Sequence, residues 1–167
     1  MCLLAIQYRV VSESPILVAA NREEFFDRRS TAPAIQSGKP RILCPTDQRN
    51  GGTWLGVNQH GIFVGICNRR TMEPLGSNRS RGLLCKEALK ATCSRTALER
   101  ILEEFDKHQF EACNLVVVDR DAGFAIHHET ENEIIEMQAG LNIIGGRNLN
   151  DPRDERVQLA NRLLTLQ

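Results

Sequence analysis

Two periodicities of apolar residues divide the chain. From Cys2 to Val11 the sequence is apolar and β-branched toward its end, Ser12 to Pro15 is a cluster of turn formers, and Ile16 to Ala20 is a second short apolar run. Together they predict an N-terminal hairpin. Thr53 to Asn58, the turn Gln59 to Gly61, and Ile62 to Asn68 predict another, with Gly51 and Gly52 giving the backbone freedom that opens it. Residues 27–50 are rich in Pro, Ser and Arg without periodicity and read as a surface loop.

The period then lengthens. Ala97, Leu98, Ile101, Leu102 and Phe105 fall on one helical stripe, Thr96 and Glu99 are spaced as a capping box, and Leu83, Leu84, Ala88 and Leu89 predict a helix before it. Cys113 to Asp119, Gly123 to His128, Glu133 to Met137 and Leu141 to Gly145 return to short apolar runs and predict a four-strand meander. Asp151 as N-cap, Pro152 as first helical residue, and Asp154 and Glu155 in the first turn predict a last helix bearing Val157, Leu159, Ala160, Leu163 and Leu164. Strand pairs, grouped helices, four strands and a helix make an α+β fold with antiparallel sheets.

Composition narrows the function classes. The 167 residues suit a single domain, 1–167, able to bury roughly 70% of its unfolded surface. Twenty-one basic side chains balance 21 acidic ones, so no global field draws in nucleic acid or an anionic membrane. No apolar run approaches the ~20 residues of a membrane helix. The six cysteines, at 2, 44, 67, 85, 93 and 113, include no CxxC pair, so no metal site and no cofactor are expected. Residues 1–11 lack the marks of an export signal, which makes the cytoplasm, with reduced thiols, the expected compartment. Arg outnumbers Lys 17 to 4, a skew that suits bidentate anion recognition or reflects genomic nucleotide composition.

Cys2 directly follows the initiator methionine. Removal of Met1 would put a free α-amine, with an ordinary pKa of about 7.7–8.0, on the same residue as a thiol, uniting base and nucleophile. The bland reading is a buried strand cysteine. Further pieces accompany it: Ala19-Ala20-Asn21-Arg22-Glu23-Glu24, then Gly51-Gly52-Thr53-Trp54-Leu55-Gly56, Cys67-Asn68-Arg69, Ser80-Arg81-Gly82, Asn114-Leu115 and Asn148.

On these residues, from Met1 to about Asn150, the chain resembles the NRDE family, also called the transport and Golgi organisation protein 2 family. Glu23 stands where that family usually has Asp, keeping the charge but lengthening its reach. The family is similar to N-terminal nucleophile (Ntn) hydrolases, nearest the penicillin V acylases and conjugated bile-salt hydrolases. The resemblance implies a sandwich of two antiparallel sheets flanked by helices. Relatives are often longer, which implies a truncated helix layer and a homodimer as one way of covering the bare face.

The same resemblance implies roles. Cys2 would be nucleophile and, through its amine, base; Arg22 would favour its thiolate; Asn68 would donate to an oxyanion; Asn148 would be a second polar group near the amine. Asn21, Glu23, Arg69 and Arg81 would contact substrate. The implied function is acyl-transfer chemistry on an amide or thioester with a small-molecule ligand. The alternative is a non-catalytic binding or carrier protein for a hydrophobic or acyl-bearing ligand of lipid, acyl-CoA or haem type, since one scaffold hosts many functions.

Structural readings compete with each role. Arg22 and Glu23 can pair with other charges at a strand end, and Asn21 and Asn68 can serve turns. Gly51, Gly52 and Trp54 read as structural. His127 and His128, adjacent on a strand, point to opposite faces and cannot share a metal, while His60 sits in a turn. Arg69, Arg70, Arg79 and Arg81 share one loop before a helix, either as a carboxylate or phosphate clamp or as solvated charge.

Overall fold

The computed structural model describes residues 2–165. Its elements are β1 (Leu3–Val11), β2 (Ser14–Asn21), β3 (Ala34–Gln36), β4 (Ile42–Cys44), β5 (Leu55–Asn58), β6 (Phe63–Asn68), α1 (Arg81–Ala88), α2 (Ser94–Lys107), β7 (Cys113–Val118), β8 (Gly123–His128), β9 (Asn132–Glu136), β10 (Gly140–Ile144) and α3 (Glu155–Thr165). The fold is α+β. Two antiparallel sheets form it, one of three strands ordered β10-β1-β2 and one of seven ordered from β3 to β9.

Side-chain alternation sets the layers. In β7, Leu115 and Val117 join Leu84, Leu89, Ala97 and Ile101 of the α1–α2 segment in one core. Val116 and Val118 face the other way, toward Leu4, Ile6 and Tyr8 of β1 and Ile144 of β10. A third cluster seats Val157 of α3 on Ala5 and Ile143, the far face of the small sheet. The order is therefore helices, large sheet, small sheet, helix. Each fully buried aliphatic side chain contributes about 1.5–3 kcal/mol, so the two larger clusters supply most of the cohesion.

Four expectations need correction. The stretch 27–50 contains β3 and β4, short strands that extend the large sheet beyond β5. The meander has three strands, because β10 leaves the large sheet and pairs with β1. Asn142 directs that departure: its side-chain amide donates to the carbonyls of Gln138 and Gly140 (3.0 and 3.1 Å), holding a turn in which Gly140 takes φ +124°. The N-cap of α2 is Cys93, whose Sγ lies 3.3 Å from Thr96 Oγ1, so the Thr96–Glu99 capping box does not form. The last helix starts at Glu155, after a turn in which Asp151 binds Arg153; Asp154 instead accepts from Arg156 N–H at 3.1 Å.

Candidate active site

Cys2 stands just before β1, the central strand of the small sheet. Even-numbered residues of β1 face the large sheet, and Cys2 packs with that set. The register pairs Leu3 with Asn21, so the next step sets Arg22 beside Cys2. Arg22 lays its guanidinium over the Trp54 ring, 4.5 Å from the centroid, and donates to the Arg28 carbonyl at 3.4 Å. From the large sheet, β6 ends at Asn68, whose exposed side chain makes no hydrogen bond among the described residues.

These three residues line one cavity of about 200 Å³, together with Glu23 and Arg81. Its far wall is the start of α1. There Ser80 caps the helix, accepting from Gly82 N–H at 3.2 Å, and Arg81 donates to the Ala112 carbonyl at 2.7 Å. A Cβ on Gly52 would fall 2.3 Å from the Gly82 carbonyl carbon, so only glycine allows the Gly51-Gly52 turn to approach α1 this closely. Thr53 N–H donates to Gly82 O at 3.0 Å across the contact.

Sequence reasoning did not single out the charged floor. Asp47, 6% exposed, forms a 2.7 Å pair with Arg28, which also binds Glu24 at 2.8 Å. Burial pushes the Asp47 carboxyl up, but hydrogen bonds from Arg28 and Arg49 N–H, with the nearby charges of Arg28 and Arg22, hold it net below its ordinary value. Asp47 is thus an anion fixed beneath the cavity. The available signal was Asp47 followed by Gly51 and Gly52, a turn in which Gly51 N–H donates to Asp47 O at 2.8 Å.

The remaining site residues lie elsewhere or are engaged. Asn21 does not line the cavity: its Oδ1 accepts from Leu3 N–H at 2.9 Å and its amide donates to Glu23 at 3.1 Å, locking β1 to the end of β2. Glu23 lines the cavity but pairs with Arg156 of α3 at 3.0 Å. Arg69 points away from Asn68, as the next residue on a strand must, and binds Glu129 (2.9 Å) and Asn114 (3.1 Å). Asn148 donates to Glu133 at 2.9 Å and, with Arg69, lines a second cavity. The structure brings Cys2, Arg22, Glu23, Asn68 and Arg81 together and leaves Asn21, Arg69 and Asn148 outside.

Burial separates the thiols of the interior from Cys2, which is half-buried. It drives the Cys67 thiol, behind Cys2, far above its ordinary range, and pushes Cys113 up to about 12. His127, 2% exposed, belongs to a polar network beneath the 145–149 loop. Its Nε2 accepts from Leu149 N–H at 3.1 Å, so Nδ1 carries the proton and donates to Asn114 Oδ1 at 2.7 Å. Burial and the Arg69 charge lower its pKa to about 4. His128 takes the opposite face and stacks on Phe105 at 3.9 Å.

A family model described as Transport and Golgi organisation 2 matches residues 1–165. The chain belongs to the Transport and Golgi organisation 2 family. Transport and Golgi organisation protein 2 homologues of that family from Bos taurus and Homo sapiens are each 28% identical to it, over 130 and 127 residues. Those matches cover 73% and 71% of this chain but 46% and 45% of the relatives, so the chain spans about half the length of the curated proteins it matches. Among solved structures, this member of the Transport and Golgi organisation 2 family is similar to a C2A mutant of a conjugated bile acid hydrolase from Clostridium perfringens (TM-score 0.58, 11% identity, 100% of this chain and 59% of that one). It is also similar to a penicillin V acylase from Agrobacterium tumefaciens (TM-score 0.50, 13% identity, 99% and 50%). These likenesses establish an Ntn-hydrolase-like scaffold. Among the described residues no helix is long and apolar enough to cross a membrane.

Proposed function

We propose that this protein transfers or hydrolyses an acyl group held in an amide or thioester, with Cys2 as nucleophile. The observation that carries the reading is the convergence of Cys2, Arg22 and Asn68 on one cavity, at the end of the central strand of this scaffold. Met1 lies outside the described residues, and its removal is part of the proposal. The freed α-amine of Cys2 takes the thiol proton, and the thiolate attacks the carbonyl carbon. A C–S bond forms, negative charge moves to the carbonyl oxygen, and the uncommitted Asn68 amide donates to it. The α-ammonium returns its proton to the leaving amine or thiol as the C–N or C–S bond breaks. Water then cleaves the acyl-enzyme.

Arg22, held in place over the Trp54 ring, sets its positive charge on the wall of the cavity that Cys2 lines. Arg81, on the opposite wall with no carboxylate partner among the described residues, suits a negatively charged substituent on the substrate. The test is turnover and binding of N-acyl amino acids, β-lactams and acyl thioesters by wild type and Cys2→Ala, with intact mass showing Met1 removed. Cys2→Ala should abolish turnover and keep affinity within about threefold, because uniform binding does not need the nucleophile. Equal binding by both proteins with no turnover by either would overturn the proposal in favour of a carrier.

A further inference from the structure

The second cavity, about 620 Å³, lies between the segment after β6 and the loop after β10. Four guanidiniums surround it, those of Arg69, Arg70, Arg147 and Arg153, against one carboxylate, Asp151. Arg153 clamps that carboxylate at 2.9 Å, and Arg69 is engaged by Glu129. The guanidiniums of Arg70 and Arg147 form no hydrogen bond or ion pair among the described residues. In a chain whose formal charges sum to zero, two cations without a bonded carboxylate on one concave surface are a local excess, the Arg147 charge meeting only that of Asp151, which Arg153 already clamps.

The walls are built rather than loose. Arg70 N–H donates to the Gly146 carbonyl at 3.0 Å, tying one wall to the other. Beneath them the fully buried Asn114 donates to the carbonyls of Gly145 and Arg147, both at 2.8 Å. Four bonded groups on one buried amide fix the backbone from which Arg147 projects, so a ligand has the exposed Arg70 and Arg147 side chains, and not the loop, to order.

We infer that this cavity binds the phosphomonoester or diphosphate end of a small organic molecule, independently of the chemistry at Cys2. A dianion matches the two guanidiniums that have no hydrogen bond or ion pair, whereas a single carboxylate would leave one unmet. Guanidinium forks fit phosphate oxygens two at a time. The volume lies within the roughly 300–1,000 Å³ of small-molecule sites and exceeds what a bare phosphate fills.

Calorimetric titration of the full chain with pyrophosphate, ADP and succinate tests the inference. Pyrophosphate and ADP should bind, ADP at least as tightly, and succinate at least about tenfold more weakly, since its two charges sit on separate groups. The double variant Arg70→Ala, Arg147→Ala should lose at least about tenfold in affinity for pyrophosphate, while Arg162→Ala, an exposed arginine on α3, should lose none. Neither replaced side chain makes a hydrogen bond or ion pair among the described residues and Arg147 meets Asp151 only through its charge, so the double variant should melt within about 2 °C of wild type. Absence of binding, equal affinity in the double variant, or succinate binding as well as pyrophosphate would overturn the assignment.

Discussion

Asn68 and Arg69 are neighbours at the end of one strand, yet they serve two different cavities. Asn68 turns to the helix side of the large sheet and reaches the Cys2 cavity with its amide uncommitted. Arg69 turns to the other side and is bound at Glu129 and Asn114. The Cys2 cavity balances four arginines against four carboxylates, with Arg28, Asp47 and Glu24 paired among themselves. The second cavity carries an excess of cations above a saturated buried network. The difference teaches that an uncommitted polar group, rather than a polar group as such, marks where chemistry can be done. A residue already bound on every side supports its surroundings.

The most severe way to break this contrast is to remove the support. Asn114→Ala would leave the Gly145 and Arg147 carbonyls and His127 Nδ1–H without partners, each worth about 1–3 kcal/mol when buried. Thermal unfolding should show a loss of several kcal/mol, about 2–4 °C for each at this chain length. A melting temperature unchanged from wild type would mean that water replaces the amide.

A paired substitution sharpens it. Asn68→Ala should leave stability within about 0.5 kcal/mol but lower kcat by about 10²–10³ on whichever substrate the wild type turns over, as losing an oxyanion donor does. Arg69→Ala should do the reverse, costing about 1–2 kcal/mol through its two broken bonds and changing kcat far less. Stability and rate moving together in both variants would erase the distinction.

The smallest effect is the pH dependence of the same network. His127 has a folded pKa of about 4, below its ordinary value, so the folded state resists a proton that the unfolded chain accepts. Above about pH 7.5 neither state is charged there and the residue adds no pH dependence. As pH falls from 6.5 toward 4, stability should drop by up to about 1.4 kcal/mol per unit, and His127→Gln should flatten that slope. Asp47, Asp119, Asp151 and Glu23, all held below their ordinary values, begin to lose their contribution as pH falls below about 5.5, so the His127 slope is read above about pH 5.5 as the difference between wild type and His127→Gln.

How far the sequence carried depends on the range of the signal. Short apolar runs bounded by turn residues were sufficient for β1, β2 and β5 to β9, including β7 and β8, which are buried on both faces, and the helical stripe was sufficient for the α1–α2 segment. It failed for β3 and β4, three residues each and too short to show a period. The partner of β10 was hidden for another reason: Leu141 to Ile144 suits either sheet, and pairing with β1 spans nearly the whole chain.

The site divides in the same way. Cys2, Arg22 and Asn68 were singled out through the family resemblance, and each lies at a strand end. Asp47 could not, because its burial comes from Arg28 across an aperiodic stretch. Arg69 lines the second cavity rather than the one at Cys2, the side to which alternation from Asn68 turns it.

The central claim is that Cys2 attacks the acyl carbon, and intact-mass spectrometry of the protein quenched during reaction with an activated acyl ester reads it most directly. Cys93 is the thiol that would confuse the result, since hydrogen bonds from the Thr96 hydroxyl and backbone at the start of α2 lower its pKa. The measurement therefore belongs in a Cys93→Ser background. A single acyl adduct is expected, mapped by peptide digestion to an N-terminal Cys2 and absent when Cys2 is also replaced by Ala. An adduct on any other residue, or turnover that persists without Cys2, would contradict it.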